Sequence, residues 1–120
     1  MKVEGKGKLL KIFIGESDQW HGEPLYHAII KKIKENGLAG ATIIRGIEGF
    51  GANSRIHSTR VLRLSEDLPI VIEVIDKEER INAIIKVLDD MITEGLMIVI
   101  QDVEIIKYAK SKDTKYTVKA

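Results

Sequence analysis

Cysteine is absent from the 120 residues, which removes disulfides, thiolate metal sites and thiol nucleophiles together. Aromatic residues make up 5% of the chain, too few for the stacking platforms that hold single-stranded nucleic acid. A basic excess is missing as well: 19 Lys and Arg stand against 18 Asp and Glu, whereas a general nucleic-acid binder carries a clear surplus of cations. No apolar run approaches the ~20 residues that span a bilayer, and Met1 to Lys8 holds no apolar signal core. The expected address is therefore cytoplasmic, without direct membrane insertion. What remains is an aliphatic chain with 44% hydrophobic and 31% charged residues, a balance that fits life at high temperature. Its length suits a single domain whose core a partner subunit would help to complete.

Periodicity sets the order of elements. Leu9 to Ile14 reads as a first strand closed by Gly15. Pro24 stands where a helix begins, and Tyr26, Ile29, Ile30 and Ile33 form one helical stripe that Asn36-Gly37 ends. Residues 41–48 read as a second strand, 60–64 as the return of a hairpin, Ser65-Glu66-Asp67 as a turn, and 69–75 as a third strand opened by Pro69. Asp76 with Glu79 resembles a capping box ahead of a second stripe at Ile81, Ile84, Ile85, Leu88 and Ile92, which Glu94-Gly95 ends. Leu96 to Ile100 opens the last strand, continued through Val103 and Ile105 towards Tyr108, and a polar tail follows from Ala109. Strand, helix, strand, strand, helix, strand with right-handed crossovers gives an α+β, ferredoxin-like split βαβ: an antiparallel sheet with both helices on one face. The third strand is apolar on both sides except at Glu73. A bare sheet face of that kind calls for a covering subunit.

The chemistry-bearing stretch is 46–57. Gly46, Gly49 and Gly51 leave the backbone open to close approach, and Arg55, His57, Arg60 and Arg63 follow with no acid between 49 and 65. Backbone donors beside cations suit a phosphate or another anion; a long polar hairpin loop is the plainer alternative. Arg45 and Glu48 flank the glycines as a surface pair or as site residues. His21 and His27 lack the i, i+4 spacing of a helical metal pair, and Trp20 reads as a packing plug. Ser54, Ser58 and His57 have neither an elbow motif nor a matched acid, and a Walker-type Gly-Lys-Ser is missing, so the expectation is a protein without catalytic activity.

Gly37-Leu38-Ala39-Gly40-Ala41-Thr42, Gly49-Phe50-Gly51, Leu68-Pro69 and Ile72-Glu73-Val74 resemble the nitrogen-regulatory PII signalling proteins. More closely, residues 8–108 resemble an uncharacterised PII-like family in the segments GLAGAT, RGIEGFG, IH and LSEDLP. The resemblance implies a homotrimer that binds an adenine nucleotide in clefts between subunits and reorders the loop 50–64 to control a partner protein. Thr42, Glu73 and Ile75 match positions that hold the adenine. Gly49, Phe50 and Gly51 match the base of the signalling loop near the phosphates, and Arg45, Gly46, Glu48 and His57 complete the expected site. The family's paired arginines fall on Tyr108 and Lys110, with Lys107 beside them. The glycine-rich, Lys-bearing phosphate cradle is reduced to Thr93-Glu94-Gly95-Leu96, which favours AMP or ADP over ATP. The loop carries no Tyr for uridylylation. Genes of the family often lie near a small membrane channel, which makes a membrane transport protein a candidate partner. The alternative is a structural or metal-binding trimer resembling the cation-tolerance proteins of the same fold.

Overall fold

Residues 5–50, 56–58 and 67–109 are described in the computed structural model. A four-stranded antiparallel sheet is built from β1 (Gly5–Gly15), β4 (Thr42–Arg45), β7 (Pro69–Asp76) and β8 (Leu96–Ile105), in the order β4-β7-β1-β8. Helices α1 (Leu25–Glu35) and α2 (Glu78–Leu88) cover one face. This is the α+β ferredoxin-like arrangement expected from the order of apolar segments.

Alternation decides which side chains meet the helices. Leu10 stands opposite Val74 and Val99, and Ile12 opposite Ile72 and Met97. These inward residues pack on Leu25, Ala28, Ile29 and Ile33 of α1 and on Ile81, Ile84 and Leu88 of α2. The buried stripe of α1 thus centres on Leu25, Ala28 and Ile29 rather than on Tyr26 and Ile30, which are half-buried. The outward set, Leu9, Phe13, Val71 and Ile98, is only half-buried, and Ile44, Ile75 and Leu96 are exposed. Among the described residues, the outer face of the sheet is therefore a largely apolar surface with no layer over it.

Several boundaries differ from the sequence reading. β1 begins at Gly5, because the polar residues 5–7 pair with 103–105 of β8 beyond a bulge; pairing overrides composition at that end. The expected strand 41–48 is divided. β4 stops at Arg45, and β5 (Glu48–Phe50) pairs with β6 (Ile56–Ser58) as a separate ribbon. A two-residue hairpin, β2 (Gln19–Trp20) with β3 (Glu23–Pro24), leads into α1. α2 ends at Leu88, so Ile92 packs on the core from the following turn. Asp76 does not cap α2: Lys77 is the cap residue, and Asp76 is the last residue of β7, fully buried. The return segment 60–64, Ser65 and Glu66, Gly51, Lys110 and the tail beyond 109 lie outside the described residues.

Gly95 enters β8 at φ +149°, and a Cβ there would meet the Phe13 carbonyl oxygen at 2.6 Å. That oxygen belongs to the β1 backbone and cannot swing aside. Gly95→Ala is therefore expected to destabilise the chain by about 1–3 kcal/mol. The check is a denaturant midpoint that falls while its slope is kept.

Candidate functional site

A cavity of about 640 Å³ opens at the end of the sheet where β4 starts and β7 finishes. Residues 39–42 form one wall, Glu73 and Ile75 the floor, and residues 103–108 the far side. The size falls within the ~300–1,000 Å³ typical of small-molecule sites. Local structure explains each wall. The chain leaves α1 through Asn36 and Gly37, whose amides return to the carbonyls of Lys32 and Lys34. It then runs through Ala39 into β4, where Thr42 stands opposite Glu73.

Asp76 holds that entry in place. Its Oδ2 accepts the Ala39 amide at 2.8 Å, and its Oδ1 accepts the Lys77 amide at 2.7 Å. Arg80, one turn into α2, lies 3.4 Å from Oδ1. On the other side of Ala39, the Tyr108 hydroxyl donates to its carbonyl at 3.2 Å. One peptide segment is thus pinned to the end of β7, next to α2, and to the segment after β8 on the far side of the cavity. The resemblance marks Tyr108 only as a place where the family carries an arginine, not as a hydrogen-bond donor to residue 39. Asp76 had a signal: Ile70, Ile72 and Val74 face the core, so an acid two residues on falls on the same side.

Of the residues expected at a nucleotide site, Thr42, Glu73, Ile75 and Lys107 come together around this cavity. Glu73 also meets Lys11 across the strand pair at 3.3 Å. Arg45, Gly46, Glu48, Gly49 and Phe50 do not line it, and the side chain of His57 lies outside what is described. Arg45 sits at the opposite end of β4 from Thr42, roughly 10 Å away at ~3.3 Å per residue. Its guanidinium pairs with Glu16 at 2.7 Å. Gly46 donates to the Pro69 carbonyl at 2.7 Å, and a Cβ on Gly46 would meet the Pro69 ring at 2.9 Å. Close passage past Pro69 thus already asks for glycine at 46, whatever ligand the loop sees. Glu48 and Gly49 lie in β5, where Gly49 opposes His57, and Phe50 is 70% exposed.

A smaller pocket of about 240 Å³ lies at the other end of the molecule, between the β2–β3 hairpin and the turn after α2. Trp20, on its rim, stacks on His21 with ring centroids 4.4 Å apart. Among the described residues, no group of three or more His, Asp and Glu is placed to share a metal ion, and no helix is long and apolar enough to cross a membrane.

The split βαβ sheet with two helices on one face is the fold of the PII-like proteins. CPII, a nitrogen regulatory PII-like protein from Thiomonas intermedia K12 with ADP, AMP and bicarbonate bound, superposes with a TM-score of 0.65 at 17% identity. The match covers 85% of this chain and 90% of that one. Residues 7–105 match the DUF190 family, described as Uncharacterized ACR, COG1993, and the chain belongs to that family. Its relatives include a UPF0166 protein of Methanocaldococcus jannaschii, 38% identical over 102 residues, covering 85% of this chain and 94% of the relative. Another, from Aquifex aeolicus, is 37% identical over 101 residues, covering 84% and 94%.

Proposed function

We propose that the chain is a PII-like regulatory protein that binds an adenine nucleotide, AMP or ADP in preference to ATP, at the cavity beside Thr42 and Glu73. The observation that carries this reading is the register pair itself. A hydroxyl and a carboxylate sit side by side at the edge of a mainly apolar cavity, with Ile75 next along the floor. A purine ring needs that combination: apolar surface for its faces, and acceptors for its exocyclic amine. The nucleotides held by CPII support the same ligand class. The preference for fewer phosphates rests on residues 93–96, which carry Glu94 and no lysine where the resemblance expects a phosphate cradle; they lie away from the cavity within one chain and reach its ligand only from a neighbouring copy.

In this reading three copies pack their outer sheet faces together, and each cavity is closed by a neighbour. Arg45, Gly46, Glu48, Gly49, Phe50, Gly51 and His57 serve the base of the loop 50–64, with Lys107 and Lys110 as the cations nearest the phosphates. The ligand favours one loop arrangement, and that arrangement binds or releases a partner protein, with a membrane transport protein as the candidate. Titration calorimetry of the full chain with AMP, ADP, ATP and cyclic AMP tests the reading. Saturable heat for AMP or ADP well below ~1 mM, weaker for ATP, is the expected result. The absence of heat for all four removes the proposal.

A further inference from the structure

The outer sheet face carries an ion pair in an apolar field. Lys11 of β1 stands opposite Glu73 of β7, and the lysine Nζ lies 3.3 Å from Glu73 Oε2. Thr42 flanks the pair on one side of the row and Ile98 on the other. The next row is Ile44, Val71, Phe13 and Leu96. The side chains of Lys11 and Glu73 are 30% and 33% exposed, so water still reaches both in the single chain. Glu73 lines the cavity whereas Lys11 does not. The pair therefore spans two places, the ligand cavity and the uncovered face.

We infer that Lys11 is the positioning counter-ion through which filling of the cavity is coupled to covering of the outer face by a second copy of this chain. The inference rests on the nucleotide reading above. A second copy fits this face because Lys11 and Glu73 compensate each other there, so identical faces meet without like-charge repulsion from this pair. Covering the face strips water from the Lys11 ammonium, and a charge left uncompensated beneath apolar side chains is costly. The covered state therefore requires Glu73 to stay turned towards Lys11. That same posture leaves the carboxylate beside Thr42, where it can accept from an exocyclic amine. Ligand and second copy select one arrangement of Glu73, and by linkage each strengthens the binding of the other.

The experiment uses the full chain and its Lys11→Met and Lys11→Arg variants. AMP and ADP affinities are measured by calorimetry, and assembly by light scattering over a dilution series with and without AMP. In the parent chain, AMP is expected to hold the assembly together at lower protein concentration. Lys11→Met, whose unbranched apolar side chain suits the half-buried position, is expected to weaken AMP binding about tenfold and to abolish the effect of AMP on assembly. Lys11→Arg keeps the charge and is expected to retain both. If Lys11→Met binds AMP and responds to it as the parent does, the coupling is overturned while the nucleotide reading stands. Loss of both properties in a folded Lys11→Arg variant equal to that in Lys11→Met overturns it too, because packing and not charge would then be responsible. A parent chain that takes up neither AMP nor ADP removes the nucleotide reading, and the coupling with it.

Discussion

Asp76→Ala is expected to lower the stability of the chain by about 3 kcal/mol, the largest effect of a single polar substitution among the described residues. Asp76 is fully buried and accepts from two backbone amides, those of Ala39 and Lys77, while facing Arg80. Alanine would leave both part-buried amides without their acceptor, and a hydrogen bond to a charged group is worth ~1.5–3 kcal/mol. Partial exposure of Arg80 keeps its share small. For a domain of this size the loss corresponds to a fall in Tm of roughly 10 °C. Asp76→Asn keeps one carbonyl acceptor and is expected to lose about half as much, ~1.5 kcal/mol. Thermal unfolding of the three chains provides the check. A Tm for Asp76→Ala within a degree or two of the parent would mean that residues 37–41 hold their course without the aspartate.

The Asp76 site also marks where sequence reasoning reached its limit. Strands and helices were legible because burial writes a period into the chain: Ile70, Ile72 and Val74 against Val71, Glu73 and Ile75, and Ile81, Ile84 and Leu88 along α2. The bare outer face followed from the same alternation. Asp76 was read by its local pattern, an acid three residues before Glu79, and that pattern is shared by capping boxes and by strand ends that precede a helix. Only the parity of the strand separates the two, and it places the carboxylate towards the core. The division of 41–48 was hidden for a different reason. Apolar and β-branched residues resume at Ile47 after Arg45-Gly46, so composition marks no end, and the strand stops where Gly46 passes against Pro69, a contact with a residue 23 positions away in the chain.

Part of the residue set expected at a nucleotide site converges on the cavity, for the same physical reasons. Thr42, Glu73 and Ile75 belong to two paired strands, so a family pattern reaching from residue 42 to residue 75 collapses into one register row and its neighbour. The glycine-rich stretch carries no such constraint. Gly46 and Gly49 both approach Pro69, which gives them a packing role independent of any anion. Substitution there tests the ribbon's path as much as a ligand. Cleaner tests of the cavity lie on the sheet, where side chains point away from the core.

Val71→Glu makes that test and is expected to give a folded single chain that binds no adenine nucleotide. Val71 lies on the outer face between Ile44 and Phe13 in register, and its side chain is half-buried in the isolated chain. A carboxylate there meets water in a lone chain and therefore costs the fold little. Beneath a second copy it has no partner, and an uncompensated charge in such a place costs several kcal/mol, enough to undo association at micromolar concentrations. Thr42 and Glu73 occupy the next row of the same face, so a neighbour that closes the cavity must lie over Val71 as well. Light scattering should report the mass of one chain for Val71→Glu, circular dichroism an unchanged secondary structure, and calorimetry no heat with AMP or ADP. An assembled Val71→Glu would place the contact between copies elsewhere on the molecule. A monomeric variant that still binds AMP with the parent's affinity would mean that one chain supplies the whole site.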